Sequence, residues 1–99
     1  MFYINGIKWK VEFTNKHNPI LNNHLGMCDN ETKTIYLADD LERYMLKKVL
    51  CHEIVHAAMF SYNISLSYEQ EEIIADLIAT YGKEIIDITN KVFKKLQSI

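Results

Sequence analysis

Apolar and polar residues alternate strictly through Ile7-Lys8-Trp9-Lys10-Val11-Glu12-Phe13, and Phe2-Tyr3-Ile4 precedes them across Asn5-Gly6. Period two marks a strand with one face buried, and an Asn-Gly link tolerates the positive φ that both central positions of a tight hairpin turn require. The pattern predicts a hairpin with Ile7, Trp9, Val11 and Phe13 facing the core. Thr14 to Asn23 is polar and asparagine-rich around Pro19, and reads as a surface loop rather than a linker. A second strand pair is expected at Leu25 to Asp29 and Lys33 to Leu37, joined through Asp29-Asn30-Glu31-Thr32.

The period then changes. Ala38-Asp39-Asp40-Leu41 places carboxylates where a starting helix has free N–H groups and the positive end of its dipole. From about Leu41, the residues Leu41, Met45, Val49, His52, Val55, His56, Met59 and Phe60 fall three or four apart, predicting one long helix through about Ser61. Asn63 to Ser67 interrupts it. Tyr68 to Tyr81 resumes it with Ile73, Ile74, Leu77, Ile78 and Tyr81 on an apolar face. Gly82 is expected to end that helix in the left-handed conformation, and Lys83 to Leu96 to form a further amphipathic helix through Ile85, Ile88, Val92 and Leu96. The fold class predicted is α+β: a small antiparallel sheet followed by an active-site helix, a ligand helix and a C-terminal helix, as a single domain over residues 1–99.

Composition narrows the function. Ninety-nine residues hold one core, and 11 Lys+Arg against 13 Asp+Glu, formal net charge −2, argue against a nucleic-acid partner. The cluster Lys91, Lys94 and Lys95 reads as the solvated, dipole-favoured end of the last helix. No apolar run approaches the ~18 to 20 residues of a membrane span, and the first residues lack a basic leader. Cys28 and Cys51 form no C-x-x-C pair and read as free structural thiols, so a cytoplasmic chain is expected.

Within the long helix lies His52-Glu53-Ile54-Val55-His56, an H-E-x-x-H. About 0.01 accidental matches are expected from this composition. Residues i and i+4 share a helix face, so both imidazoles can converge on one cation at the ~2.0 to 2.1 Å that zinc prefers. Glu53 lies about 100° round the helix and can take a proton from water without being a ligand. Catalytic zinc wants a third protein ligand. Glu72 is the candidate, because Glu72-Ile73-Ile74-Ala75-Asp76 sets two carboxylates a turn apart on the next helix. Asp76 would accept the free ring N–H of a zinc-bound histidine, His52 in the first instance. Glu69 and Glu71, with no acidic residue four positions on, read as a solvated first helical turn.

This combination, over about Leu25 to Gly82, resembles the gluzincin metallopeptidases, specifically the minigluzincins and the zinc-peptidase domain of ImmA/IrrE-type proteins of bacteria and their mobile elements. The longer metzincin motif would require Gly at Met59 and His at Tyr62. The resemblance implies a zincin-like fold and a zinc-dependent peptidase in which His52, His56 and Glu72 hold Zn²⁺, Glu53 is the general base and Asp76 supports a ligand. It implies further that a peptide or protein substrate adds to an edge strand, for which Lys33 to Leu37 is the expected segment. Related peptidases place a Tyr or His beside the metal to stabilise the transition state, and Tyr62 and Tyr68 are the nearest in sequence. His17 and His24 read as solvated loop histidines. Minigluzincins are thought of as latent, so Lys83 to Ile99 is expected either to complete the core or to shield the site. The alternative reading is a non-catalytic or regulatory zinc-containing binding protein of a bacterial or mobile-element system.

Overall fold

The computed structural model describes residues 1–98. Strand β1 (Phe2–Ile4) turns through Asn5 and Gly6 into β2 (Ile7–Thr14). Both turn residues have positive φ, 50° and 75°, as the hairpin requires, and Ile4 pairs with Ile7. The loop that follows is tied down by Asn15 and Asn18, whose side chains accept the backbone N–H groups of His17 and Ile20, and it buries Leu21. Strands β3 (Gly26–Asp29) and β4 (Thr34–Ala38) complete a sheet of order β1-β2-β4-β3.

The sheet is mixed, not antiparallel as the sequence suggested: β4 lies parallel to β2, with Val11 opposite Ile35 and Phe13 opposite Leu37. Consequently Lys33 to Leu37 is no edge. Burial explains the order. Thr34, Ile35, Leu37 and Ala38 are buried, so β4 needs cover on both faces, which an inner position supplies. Gly26-Met27-Cys28-Asp29 has no such demand and takes the rim.

Helix α1 (Arg43–Ser61) lies on the sheet, and Trp9, Ile35, Leu37 and Ala57 form the buried centre of the interface. Phe13 shares the Trp9 side of β2 but lies beyond this core and stays 59% exposed, against the alternation's expectation. Asp39 and Asp40 do not cap α1; it starts at N-cap Glu42, with no side-chain cap. Its far end is pinned to the hairpin by two hydrogen bonds. Trp9 Nε1–H donates to Ser61 Oγ at 2.8 Å, buried, and Asn5 Nδ2–H donates to the Ser61 carbonyl at 3.0 Å.

Helix α2 (Tyr68–Gln97) begins with a capping box that the sequence reading passed over: Ser67 Oγ accepts Gln70 N–H, and Gln70 Oε1 accepts Ser67 N–H. It runs unbroken for 30 residues through Gly82, merging the expected ligand and C-terminal helices. An interior glycine disfavours a helix by only about 1 kcal/mol relative to Ala, too little to stop one that no proline follows. Val55, Met59 and Ala75 form the buried seam between α1 and α2. From Lys83 to Gln97 every residue is exposed, so this stretch does not complete the core. Ile99 lies outside the described residues.

Ser61→Ala tests the pin. It leaves the Trp9 indole N–H buried without its acceptor, and about 1 to 3 kcal/mol of stability should be lost in urea unfolding followed by Trp9 fluorescence. An unchanged midpoint would show that water replaces the bond.

Candidate metal centre

Three residues from two helices converge. His52 and His56 sit a turn apart on α1, and Glu72 faces them from the second turn of α2. The His52 and His56 Nε2 atoms are 3.1 Å apart. Glu72 reaches both, Oε2 at 3.3 Å from His52 Nε2 and Oε1 at 2.7 Å from His56 Nε2. Donor separations in a tetrahedral zinc site are about 3.3 Å for bonds of ~2.05 Å, so this spacing suits a single small cation.

The other ring nitrogens decide what the site attracts. His52 Nδ1–H donates to Asp76 at 2.9 Å, and His56 Nδ1–H donates to Glu71 at 2.5 Å. Ionised carboxylates only accept, so these contacts fix a proton on Nδ1 of each ring, and in the neutral imidazole Nε2 is then the lone pair turned toward Glu72. Two lone pairs and a carboxylate aimed at one point repel one another unless a proton or a metal cation lies among them. The donor set of two imidazole nitrogens and one carboxylate oxygen fits a divalent metal of zinc's preferences.

Glu71 is the correction to the sequence reading. It was expected to be solvated, yet its side chain is 17% exposed and holds His56, whereas the Asp76 side chain that holds His52 is 72% exposed. The missed signal was spacing: Glu71 lies one residue before Glu72 and four after Ser67, where the first turn of a capped helix, exposed at Tyr68 to Gln70, comes round to face α1.

Glu53 is 7% exposed beside the histidines. Burial pushes its carboxyl above the ordinary range, with His52 and His56 pulling it partly back. It shares a cleft of about 630 Å³ with His24, Gly26, Cys28, Tyr68 and the three converging residues. β3 forms the opposite wall. A side chain at Gly26 would meet Val49 Cγ1 at 2.7 Å and Glu53 Cγ at 3.1 Å, so the missing Cβ is what lets the strand lie against α1.

Of the two tyrosines, Tyr68 lines the cleft and Tyr62 does not; it forms the C-cap of α1 instead. His24, expected to be a solvated loop residue, also lines it, brought there by the loop that leads into β3. The Cys28 thiol faces the same space, and burial first, then the nearby Glu53, pushes its pKa up to about 12, so at neutral pH it stays a thiol. No family model matches the chain, and neither a curated protein nor a solved structure matches it.

Two substitutions probe this geometry. Glu71→Ala should weaken divalent-cation binding about 10- to 100-fold, as expected for loss of a group that orients a ligand, and more than Asp76→Ala because its contact is the better shielded. Titration calorimetry that ranks Glu71→Ala with the exposed Glu69→Ala would remove it from the site. Gly26→Ala should cost about 1 to 3 kcal/mol of stability through overpacking against Val49, readable as a lowered urea midpoint.

Proposed function

We propose that the protein is a zinc-dependent metallopeptidase of the minigluzincin kind, hydrolysing peptide bonds in the cleft between β3 and the two helices. The observation that carries this reading is the convergence of two Nε2 lone pairs and the Glu72 carboxylate beside a buried Glu53. Structural zinc sites are closed by four protein ligands, whereas three ligands with a free carboxylate alongside are the arrangement of a hydrolytic site. Zinc held by His52, His56 and Glu72 would supply Lewis acidity, acidifying a water toward pKa ~7 and polarising the scissile carbonyl.

The chain's own groups do the rest. Glu53, kept basic by burial, accepts the proton of the attacking water and returns it to the leaving amine. Gly26 and Cys28 turn their backbone N–H and C=O groups to the open side of β3. This follows from the register: Leu25 bonds back to Ala38, and the paired positions then recur at Met27 and Asp29, leaving the alternate residues unpaired. An extended peptide can add to them as a fifth strand, recognised through its backbone whatever its side chains. Thus the edge that the sequence reading sought at Lys33 to Leu37 is supplied by β3. Tyr68 and His24 flank the cleft as the two groups able to hydrogen-bond a developing oxyanion.

Purified protein should carry one zinc per chain, lost in His52→Ala. Glu53→Gln should retain the metal while peptide cleavage falls by about 10²- to 10⁴-fold. A wild-type chain without zinc sinks the metal reading; wild-type zinc with cleavage equal in Glu53→Gln sinks the peptidase reading and leaves a metal-holding binding protein.

A further inference from the structure

The outer half of α2 has no partner within the chain. Ile78, Tyr81, Ile85, Ile88 and Val92 recur at alternating steps of three and four, the a and d positions of a heptad, and each is 40% to 55% exposed. Ile86, Phe93 and Leu96, all exposed, widen the face on one flank. Together these side chains bare on the order of 800 Å², about what each side of a standard protein interface buries and more than a monomer ordinarily leaves open. Glu84 and Lys91 edge the face on its other flank, both at g positions. Lys83 and Asp87, on the back of the helix, pair with each other at 2.6 Å, while Glu84 and Lys91 have no ion-pair partner among the described residues.

We infer that this face binds a second copy of the same chain, the two α2 helices packing antiparallel about a twofold axis between Ile85 and Ile88. The axis sets Ile85 against the partner's Ile88 and Tyr81 against the partner's Val92. Ile78 meets the methylene stem of the partner's Lys95, whose ammonium reaches water at the end of the seam. Antiparallel pairing places g positions beside g positions, so Glu84 faces the partner's Lys91, and the symmetry makes the same pair twice. Parallel pairing would set Glu84 beside Thr89 and Lys91 beside Leu96, leaving both charges unanswered. It would also crowd the two sheets together at one end, where the antiparallel arrangement holds them apart. Gly82 and Thr89, small residues at e positions, let the helices approach on the apolar flank. The inference is independent of the metal centre, which lies on the inner half of α2.

Sedimentation equilibrium on the full chain decides it, with Trp9 emission, remote from this face, reporting that each variant stays folded. The wild type should be a dimer at about 50 μM, and Ile85→Asp a monomer. Glu84→Lys and Lys91→Glu should each weaken the dimer about tenfold by creating two like-charge pairs, and the double variant Glu84→Lys/Lys91→Glu should return to within about threefold of wild type. A wild type that remains monomeric to about 200 μM overturns the proposal, including one that binds anionic phosphatidylserine vesicles as a monomer. So does a dimer indifferent to the single reversals, or one that the double reversal does not restore.

Discussion

The close approach of α2 to α1 at Ala75 is the constraint on which the candidate site depends. Ala75 is fully buried against Val55 and Met59, and a side chain of one carbon lets the helix axes come near. Only at that separation can the short reach of Glu71, Glu72 and Asp76 span to two imidazoles. The three carboxylates then divide the ring atoms among themselves: two fix the Nδ1 protons and one sits between the Nε2 lone pairs. Two lone pairs and the Glu72 carboxylate converging in a half-buried space are poorly tolerated without compensating charge. The helical seam therefore creates an electrostatic demand, and the same packing that creates it leaves a cation-sized space to answer it.

Glu53 is set from the opposite side. It belongs to α1, but its surroundings are made by β3, which can lie close only because residue 26 has no Cβ. Burial then raises the pKa of a carboxyl whose neighbours are histidines, which suits a proton acceptor better than an exposed glutamate would. Two small residues, Ala75 and Gly26, thus fix the two walls of one cleft, and neither carries any chemistry itself.

Local periodicity made most of the elements legible in the sequence. The Asn5-Gly6 hairpin, the α1 stripe and the H-E-x-x-H face follow from spacing alone, whereas the meeting of His52 with Asp76 is expected because a metal-binding histidine needs a partner for its other ring nitrogen. What escaped reading was non-local or depended on weak local signals. Strand order turned on which strand needed cover on both faces, a property of Thr34 to Ala38 that a hairpin-by-hairpin reading overlooks. Gly82 looked like a stop because glycine serves that purpose at helix ends, yet here its φ is not positive and the helix simply continues. Glu71 looked solvated because no acidic residue follows it four positions on, and nothing local marks His56, 15 residues away, as its partner. Phe13 obeys the alternation and is exposed all the same, since a pattern assigns a face and only the tertiary structure decides how far that face is covered.

The unbroken run of α2 joins two features that the sequence kept apart. Its inner half is held by burial and by the site's own hydrogen bonds, whereas its outer half gains nothing from the rest of the chain beyond continuation of a helix already nucleated. Fifteen exposed residues that include Ile85, Ile86, Ile88, Val92 and Phe93 would be expected to fray toward the end, and among the described residues i,i+4 ion pairing there amounts to Lys83–Asp87. A surface that is expensive to leave in water and regular at heptad spacing is stabilised by packing from outside the chain or not at all. Because the helix is continuous, whatever packs there also restrains the segment that carries Glu71, Glu72 and Asp76. Assembly and metal affinity would accordingly share one rigid element, coupled through the order of α2 rather than through any contact between the interface and the site.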